Sequence, residues 1–335
     1  MKFGTLPLDQ AVGKILAHQC SDADGHKLLS KGHIITLADL ERLHAHQLET
    51  LVVITLEDGD VDENQAARRI GAVITGDHVR MTAPGVGRAN LMAQQAGVLR
   101  INVSVLERLN NIDEGITIAT LHTHSLVQAG QLIGLVKIIP YAIGAARVED
   151  VEAIARENQA VMSVRPLQER SVGMIVTGAA SQHDKLIAEF VPAVRLRVER
   201  LGSRLDNVLY VAHDETPIAE ALAVLHQAGR DVILIAGVSA TIDRHDVIPT
   251  ALERVKGSVA HFGVPVDPGS LLMLGYMGRT AVIGAPGCVK SIKTNVIDLI
   301  LPRLLAGERL TRADLVAMGH GGLLEDIPDR PMPRA

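Results

Sequence analysis

The spacing of apolar residues at the start of the chain predicts a mixture of helices and strands. Apolar positions at 37, 40 and 43 recur at helical spacing after Thr36, a residue type that commonly caps helices. The apolar run at residues 50–56 predicts a strand, and a second helical pattern follows at residues 63–70. We therefore expect residues 1–80 to form a small α+β segment.

The pattern then changes to short β-type runs that are broken by glycine. These runs lie at residues 98–103, 116–121 and 131–139. They predict a β-rich segment over residues 81–145, because several short apolar runs bounded by turn residues are typical of strands. A helical pattern at residues 148–157 predicts a linker helix within residues 146–169.

Two histidines in the β-rich segment are a candidate metal pair. His122 and His124 stand two apart and would share one face of a strand. A zinc site needs further ligands, and no third one is evident nearby in the sequence. The simpler interpretation is that the two histidines lie on a half-exposed strand without a metal.

The last part of the chain alternates strand and helix patterns in a regular series. The predicted strands lie at residues 172–176, 207–211, 231–236 and 280–283. The predicted helices lie at residues 185–201, 216–227, 244–255 and 291–305, and the second begins with Thr216 as its cap and Pro217 at its first position. Such alternation is typical of a largely parallel sheet with helices on both faces. The predicted fold class is α/β, with an α/β/α sandwich at residues 170–310 and a tail at residues 311–335.

Composition and charge exclude several classes of function. With 335 residues the chain is long enough for two or three domains, and its formal charge of -5 leaves no basic stripe for a polyanion. Aromatic residues make up only 2% of the chain, which argues against stacking sites for single-stranded nucleic acid. We therefore expect no nucleic-acid partner.

The sequence contains no apolar segment with the pattern of a secretion signal or the length of a membrane span. Cys20 and Cys288 are the only cysteines, and two thiols so far apart suit a reducing compartment better than a disulfide scaffold. These features predict a cytoplasmic protein without a membrane partner.

Two glycine-containing loops follow predicted strands of the α/β region. Thr177 and Gly178 open the first loop, where small residues let backbone amides approach an anion, although a plain turn would look the same. Gly237 opens the second loop, and Ser239 and Thr241 offer hydroxyl groups there. Ligands of parallel sheets bind at such loops, so both are candidate binding loops.

Two carboxylates lie farther along the second loop. Asp243 and Asp246 could hold Mg²⁺ or contact a polar ligand, and they are the candidate catalytic and metal-binding residues. Aspartate is also a preferred capping residue, so Asp243 could instead cap the helix that follows.

A third loop, after the last predicted strand, is the best candidate for a phosphate site. It contains Pro286 and Gly287, followed by Lys290 and Lys293. Ser291 would cap the closing helix, whose first amides and dipole favour an anion. The spacing differs from that of a GxxxxGK[ST] phosphate loop, so ATP hydrolysis of that type is not indicated.

Cys288 lies inside this third loop. A thiolate near the start of a helix would have a lowered pKa and could act as a nucleophile or as the ligand of a soft metal. A buried, inert cysteine is the alternative, because packing explains most free cysteines.

Four ordered segments resemble the molybdopterin-binding domain shared by molybdopterin molybdenumtransferases and gephyrin-like proteins. The segments are residues 176–178, residues 236–239 with Asp243 and Asp246 after them, residues 266–269 and residues 284–287. The resemblance implies a molybdopterin-binding fold, and it adds Asp267 and Gly269 to the expected cofactor-binding residues. Residues 6–17 and 31–36 also resemble segments of this group, so the resemblance covers nearly the full length.

Two positions depart from the pattern of the molybdate-inserting enzymes. Those enzymes carry a lysine where this chain has Ser270, and their Pro-Gly-Asn-Pro corresponds to Pro-Gly-Cys-Val at residues 286–289. The missing lysine removes a positive charge that would stabilise an oxyanion. Lys290 and Lys293 could replace that charge from the neighbouring loop.

The resemblance implies that the chain binds molybdopterin or the finished molybdenum cofactor and takes part in its biosynthesis, protection or delivery. The two lysines and the amides near Gly287 would hold the phosphate, and Asp243 or Asp246 would contact pterin or Mg²⁺. Cys288 would be a transient thiolate ligand to molybdenum if it reaches the dithiolene.

Two enzymatic alternatives stay open. One is a molybdopterin molybdenumtransferase that inserts molybdate into adenylylated molybdopterin, and the other is a nucleotide pyrophosphatase on the same fold. The expected partners are a nucleotidyltransferase or a molybdoenzyme that receives the cofactor. The family also implies a homo-oligomer.

Overall fold

The computed structural model describes residues 1–158 and 160–324. The chain divides into two compact units, residues 1–165 and residues 166–335. This division is coarser than the predicted segments, and their boundaries stay predictions. The end of the predicted tail, residues 325–335, lies outside the described residues. No helix in the described part is both long enough and apolar enough to cross a membrane.

The first unit consists of small sheets and short helices. Its strands are β1 (Lys2–Pro7), β2 (Ile15–Leu16), β3 (Cys20–Ser21), β4 (Lys27–Leu29), β5 (Thr50–Thr55), β6 (Asp60–Asp62), β7 (Val79–Gly85), β8 (Arg88–Ala93), β9 (Gly97–Ile101), β10 (Ile116–Thr120), β11 (Leu126–Val127), β12 (Leu132–Ile138), β13 (Ala142–Gly144) and β14 (Met162–Pro166). Its helices are α1 (Leu37–Ala45), α2 (Glu63–Ile74), α3 (Val103–Asn110) and α4 (Ala145–Glu157). The β-rich character predicted for this part of the chain is confirmed.

The start of the first unit folds as its sequence pattern predicts. Helix α1 begins after Thr36, whose side chain accepts the amide of Asp39, while the Asp39 carboxylate accepts the amide of Thr36 at 2.8 Å. This reciprocal capping box satisfies amides that the helix leaves unpaired. Leu43 of α1 packs with Val53 of β5, the central strand of a sheet with the order β1-β5-β2.

A four-stranded antiparallel sheet, in the order β10-β12-β8-β7, carries the larger core of the first unit. Helix α4, which was predicted to be a linker, belongs to this core, because Val148, Val151 and Ala155 are buried within it. A helix with a buried apolar stripe stabilises the unit against which it packs. The linker interpretation was therefore wrong for this helix.

The histidines considered as a metal pair lie in a turn after β10 and not on a strand. His124 has a φ of 68°, and the amide of Ser125 donates to the carbonyl of His122 at 3.2 Å. Within the described residues, neither histidine belongs to a group of three potential metal ligands. The prediction placed both histidines on a strand, which would have to extend four residues farther, because β10 ends at Thr120.

A six-stranded sheet forms the centre of the second unit. Its strands are β15 (Ser171–Thr177), β16 (Arg204–Val211), β17 (Val232–Gly237), β18 (Ser258–Phe262), β19 (Met273–Met277) and β20 (Thr280–Gly284). The helices are α5 (His183–Arg200), α6 (Glu215–Gln227), α7 (Val247–Arg254), α8 (Val296–Leu305) and α9 (Arg312–Val316). The strand order is β16-β15-β17-β20-β19-β18, and only the pairs that involve β19 are antiparallel.

Helices cover both faces of this sheet, as its apolar strands require. Alternate residues of β17 belong to opposite cores: Leu234 packs with α5 and α8, whereas Ile233 and Ile235 pack with α6 and α7. A strand that is buried on both faces needs an apolar side chain at every position, which explains its unbroken apolar run. The predicted α/β/α sandwich is confirmed.

Some element boundaries differ from the predictions. Helix α6 begins at Glu215 after Asp214, so Thr216 is not its cap and Pro217 occupies its third position. Strands β18 and β19 were not predicted. They form an antiparallel edge, and the sequence of β18 mixes polar and apolar residues because its burial is incomplete.

Candidate functional site

The carboxyl ends of β15 and β17 form a topological switch point in the sheet. These strands are neighbours, with Thr177 opposite Gly237. From β15 the chain passes through α5 to β16 on one side, whereas from β17 it continues to the strands on the other side. Connections that leave neighbouring parallel strands in opposite directions open a crevice, and ligands of α/β sheets bind in such crevices.

The two predicted binding glycines at this crevice are required by the packing of the chain itself. A Cβ atom on Gly237 would lie 2.1 Å from the carbonyl oxygen of Thr177, and one on Gly178 would lie 2.5 Å from a methyl group of Leu186. The amide of Gly178 also donates to the carbonyl of Val211 at 3.0 Å. These glycines bring the two loops close together. The amide of Gly178 already donates to a backbone carbonyl and is therefore not available to a ligand.

Thr177 forms a polar pair with a residue that the sequence analysis missed. Its side chain is fully buried, and its hydroxyl oxygen lies 2.9 Å from Nδ1 of His213, just after β16. The nearby hydroxyl of Tyr210 donates to the carbonyl of Ala179 at 2.6 Å. His213 has no distinctive local motif. Only the fold brings His213 to Thr177, because neighbouring parallel strands end at the same edge of the sheet.

The loop after β17 carries one exposed and one buried hydroxyl group. Ser239 is exposed, and its hydroxyl donates to the carbonyl of Ala240 at 3.1 Å. The side chain of Thr241 is only 2% exposed, and its hydroxyl has no hydrogen-bond partner among the described residues. It lies beside Gly284 at the end of β20, so the ends of β17 and β20 meet here.

The two candidate carboxylates of this loop have different roles. Asp246, not Asp243, caps helix α7: its carboxylate accepts the amide of Val247 at 2.7 Å and that of Ile242 at 3.0 Å. Asp243 is exposed, and the backbone amide of His245, followed by its imidazole, lowers the pKa of this carboxyl group. The helix start was therefore predicted about three residues too early.

These carboxylates do not fit a resident Mg²⁺ ion. Both oxygens of Asp246 accept backbone amides, which leaves the second oxygen of Asp243 as the available ligand of the pair. In the described ranges, neither residue joins a set of three clustered metal-ligand side chains. Magnesium bound through few carboxylates relies on substrate phosphates and water, so these residues alone do not make its site.

The third loop leaves the carboxyl edge and runs along helix α5. A 3₁₀ turn, Gly287–Lys290, comes first, and the ammonium group of Lys290 pairs with Glu189 at 3.0 Å. Farther on, the buried guanidinium of Arg197 donates to the carbonyls of Val289, Ser291 and Lys293. Arg197 is a second residue that sequence reasoning missed, and it anchors the whole loop.

The two lysines that were predicted to hold a phosphate have different surroundings. The Arg197 guanidinium reaches back to the carbonyl of Ala193, ten residues into α5 and so about 15 Å from its start at the carboxyl edge. The backbone of Lys293 is held at that level. Lys290, whose partner Glu189 lies nearer the start of α5, is the lysine closer to the crevice.

The predicted anion site at the start of the closing helix was wrong. Helix α8 begins at Val296 and is capped by Asn295, not by Ser291. The amide of Val296 donates to the carbonyl of Pro268, and that of Ile297 donates to Asn295 Oδ1. An anion needs free amides at a helix start, and these are already used.

The segment at residues 267–269 packs on the start of α8. Gly269 has a φ of 130°, and a Cβ there would lie 2.2 Å from Val296, so only glycine fits. Asp267 donates its amide to the carbonyl of Gly322 at 2.8 Å. The structure therefore brings Asp267 and Gly269 to α8 and not to the loops after β15 and β17.

The thiol of Cys288 is not activated. Burial raises its pKa, which contradicts the lowered pKa expected for a cysteine near a helix start. The side chain is half-buried in the 3₁₀ turn after Pro286. A short 3₁₀ turn lacks the aligned amides and dipole of an α-helix, so the thiolate gains little stabilisation.

Comparisons with known proteins agree with this architecture. Residues 173–306 match a family model described as "Probable molybdopterin binding domain", and residues 5–55 match a domain of unknown function. No curated protein matches the chain.

Solved structures similar to this chain include a molybdopterin biosynthesis protein from Mycobacterium abscessus, with 15% identity over 41% of this chain and 92% of that one, and a TM-score of 0.30. The MoeA protein from Pyrococcus horikosii has 13% identity over 91% and 75% of the two chains, with a TM-score of 0.32. The Mog protein from Mycobacterium ulcerans has 20% identity over 40% and 91%, with a TM-score of 0.28.

Because these identities and TM-scores are low, the assignment depends on the family model. The matched segment starts within β15 and ends after α8, so it contains the switch point and all three candidate loops. The match supports a role in molybdenum cofactor biosynthesis. Over residues 173–306 this chain is similar to the family described as a probable molybdopterin binding domain.

Proposed function

We propose that the second unit binds molybdopterin or the finished molybdenum cofactor at the carboxyl edge of its sheet and protects or delivers it. The observation that carries this proposal is the crevice at the switch point of β15 and β17, inside the segment that matches the family model. The receiving partner would be a molybdoenzyme or a nucleotidyltransferase in the same cytoplasmic compartment.

The polar groups at the crevice suit the pterin end of the ligand. Ser239 is exposed and presents a hydroxyl group, while the Thr177–His213 pair supports the floor of the crevice. The ends of β17 and β20 are neighbours, so the loops that begin at Gly237 and Pro286 face the same space. Pterin nitrogens would exchange hydrogen bonds with these groups, which fixes the orientation of the ring.

The phosphate end of the ligand would extend toward Gly287 and Lys290. Gly287 is exposed and open around its Cα atom, so a phosphate could approach the backbone there. Lys290 is half-exposed, and its ammonium group pairs with Glu189 and lies 5.9 Å from the centre of the Phe190 ring. An exposed ion pair is worth little, so a phosphate can compete for the ammonium group. Of the two lysines, we assign the phosphate contact to Lys290, because its partner Glu189 lies nearer the start of α5 than the carbonyl of Ala193 beside Arg197.

A carrier role is favoured over molybdate insertion by the state of the candidate catalytic groups. Asp246 caps a helix, the Cys288 thiol has a raised pKa, and Ser270 replaces the lysine typical of inserting enzymes. None of these groups is prepared to activate water or a phosphate. Cys288 could still contact the dithiolene as a neutral thiol, since it lies in the same turn as Gly287.

The proposal is tested by titrating purified molybdopterin into the protein and following pterin fluorescence after oxidation. Wild type should bind with micromolar or tighter affinity. Lys290→Ala should weaken binding about tenfold, as expected for one lost charge-assisted contact. Lys293→Ala is the matched control and should stay within twofold of wild type. Absence of binding by wild type would disprove the proposed function.

The transferase alternative is favoured by one observation, the exposed carboxylate of Asp243 with its lowered pKa. Incubation with adenylylated molybdopterin, molybdate and Mg²⁺ measures nucleotide release directly. The carrier proposal predicts no release above the rate without protein. Release that disappears in Asp243→Asn would establish an enzyme, and release from other dinucleotides would favour a pyrophosphatase.

A further inference from the structure

The amino edge of the same sheet, opposite the pterin crevice, contains a separate cavity of about 450 Å³. It lies where β15, β17 and β20 begin and where α6 and α8 end. Cavities of this size accommodate small organic ligands. Neither the family match nor the proposed function assigns a role to this edge.

Positive charge dominates the lining of the cavity. The described lining residues include four arginines, namely Arg170, Arg230, Arg279 and Arg309. The carboxylates that line it are already paired: Asp231 with Arg170 at 2.7 Å, and Glu308 with the buried Arg303 at 2.8 Å. Arg230 also pairs with Asp206, so the positive charge that remains available at the cavity is that of Arg279 and Arg309.

Several guanidinium donors at this cavity lack acceptors. Arg279, in the turn between β19 and β20, is exposed and makes no hydrogen bond or ion pair with the described residues. Arg309 stacks on the ring of Tyr276 at 3.9 Å and donates only to the carbonyl of Gly278. The guanidinium of Arg230 pairs with Asp206 at 2.6 Å, but its Nε is buried without a partner among the described residues, a state that destabilises the fold unless an acceptor is supplied.

Helix ends explain only part of this arrangement. The last carbonyls of α6 and α8 attract cations, and Nε of Arg170 donates to the carbonyl of Leu305 at 3.4 Å. Arg279 makes no such contact with a helix end. The effect of a helix dipole falls off within the last turn, so it does not explain the position of Arg279.

We propose that this cavity binds the phosphate group of a small phosphorylated molecule. Guanidinium groups hold phosphate oxygens through paired, charge-assisted hydrogen bonds, and their planar shape makes arginine better suited to this than lysine. Arg279 and Arg309 bind the entering anion, and Arg230 Nε donates to it from the buried side. The ligand lies at the opposite edge from the pterin crevice, so both ligands bind at the same time.

Calorimetric titration with inorganic pyrophosphate, at constant ionic strength and with sodium chloride as the blank, tests this site. Wild type should bind pyrophosphate, and Arg279→Ala/Arg309→Ala should weaken the affinity at least tenfold. The matched control Arg195→Ala/Arg200→Ala removes the same charge from the exposed face of α5 and should stay within twofold. Circular dichroism confirms that both double variants fold.

Binding of molybdopterin by Arg279→Ala/Arg309→Ala should remain within twofold of wild type, which separates this inference from the proposed function. Adenosine monophosphate distinguishes a phosphorylated organic ligand from free phosphate, because added contacts in the cavity should make it bind more tightly than orthophosphate. Pyrophosphate binding that is absent in wild type, or equally strong in both double variants, would overturn the proposal.

Discussion

The two edges of the six-stranded sheet are built on different principles. At the carboxyl edge glycine holds the loops close together, Thr177 pairs with His213, and Lys290 is the cation proposed to contact the ligand. At the amino edge four arginines line a cavity. The carboxyl edge is thus defined by shape, and the amino edge by charge.

The comparison teaches that local charge in a sequence is a poor guide to where an anion binds. Two lysines three residues apart predicted one phosphate site, yet the loop that carries them is held along α5 by Arg197, and the ammonium group of Lys290 pairs with Glu189. The four arginines of the amino edge are scattered between residues 170 and 309, and only the strand order brings them together.

The largest effect is expected where the carboxyl-edge loop is anchored. Arg197→Met leaves the carboxylate of Asp298 and three loop carbonyls without their buried partner, so the free energy of unfolding should fall by about 3–5 kcal/mol. Urea denaturation measures this loss. Arg195→Met, on the exposed face of the same helix, should cost less than about 1 kcal/mol. Equal losses would show that Arg197 does not anchor the loop.

A smaller loss tests whether shape defines the carboxyl edge. Gly237→Ala places a Cβ 2.1 Å from the Thr177 carbonyl and should destabilise the unit by about 1–3 kcal/mol, because backbone must move. Gly287→Ala has open space around it and should change the free energy of unfolding by less than about 1 kcal/mol. Both values come from the same urea experiment. If Gly237→Ala leaves the free energy of unfolding unchanged, the steric explanation is wrong.

Asp314 should make the free energy of unfolding depend on pH in the acid range. Burial opposes ionisation of Asp314, but hydrogen bonds from Thr311 and the guanidinium of Arg303 outweigh it and hold its pKa at about 2. The folded pKa lies below the unfolded value of 3.8, so this carboxylate contributes about 2 kcal/mol above pH 4. That contribution is lost as the pH falls from 4 to 2. Asp314→Asn should flatten the measured dependence of stability on pH over this interval.

The smallest effect separates the two carboxylates of the second loop. Asp246→Ala removes the cap of α7 and should lower the free energy of unfolding by about 1 kcal/mol. Asp243→Ala removes an exposed side chain and should change it by less than about 0.5 kcal/mol. Thermal unfolding of both variants measures the difference. A larger loss of stability in Asp243→Ala than in Asp246→Ala would indicate that Asp243 caps α7.

Periodicity was sufficient to predict the sandwich of the second unit. Residues 172–176 and 232–236 carry no polar side chain, as expected for strands that are buried on both faces. The edge strand β18 was missed because incomplete burial relaxes that requirement. The start of α8 was misplaced because Asn295 and the carbonyl of Pro268 define it, and that contact is not local in sequence.

For the candidate site, the sequence was sufficient to predict the loops but not the contacts between side chains. Gly178, Gly237 and the turn at Gly287 follow strands whose order the pattern implies, so their loops were found. His213 and Arg197 have no local motif, and their roles come from neighbours that are distant in sequence. Capping was considered as an alternative for Asp243 but not for Asp246, although both aspartates satisfy the same local preference.

Hydrogen exchange measured by mass spectrometry, with and without bound molybdopterin, tests the distinction between the two edges most directly. Binding should slow exchange in peptides that cover residues 237–241 and 285–290 at the carboxyl edge. Peptides that cover residues 229–231 and 278–280 at the amino edge should exchange at the same rate as in the free protein. Protection confined to the amino edge, or no protection at either edge, would contradict the account.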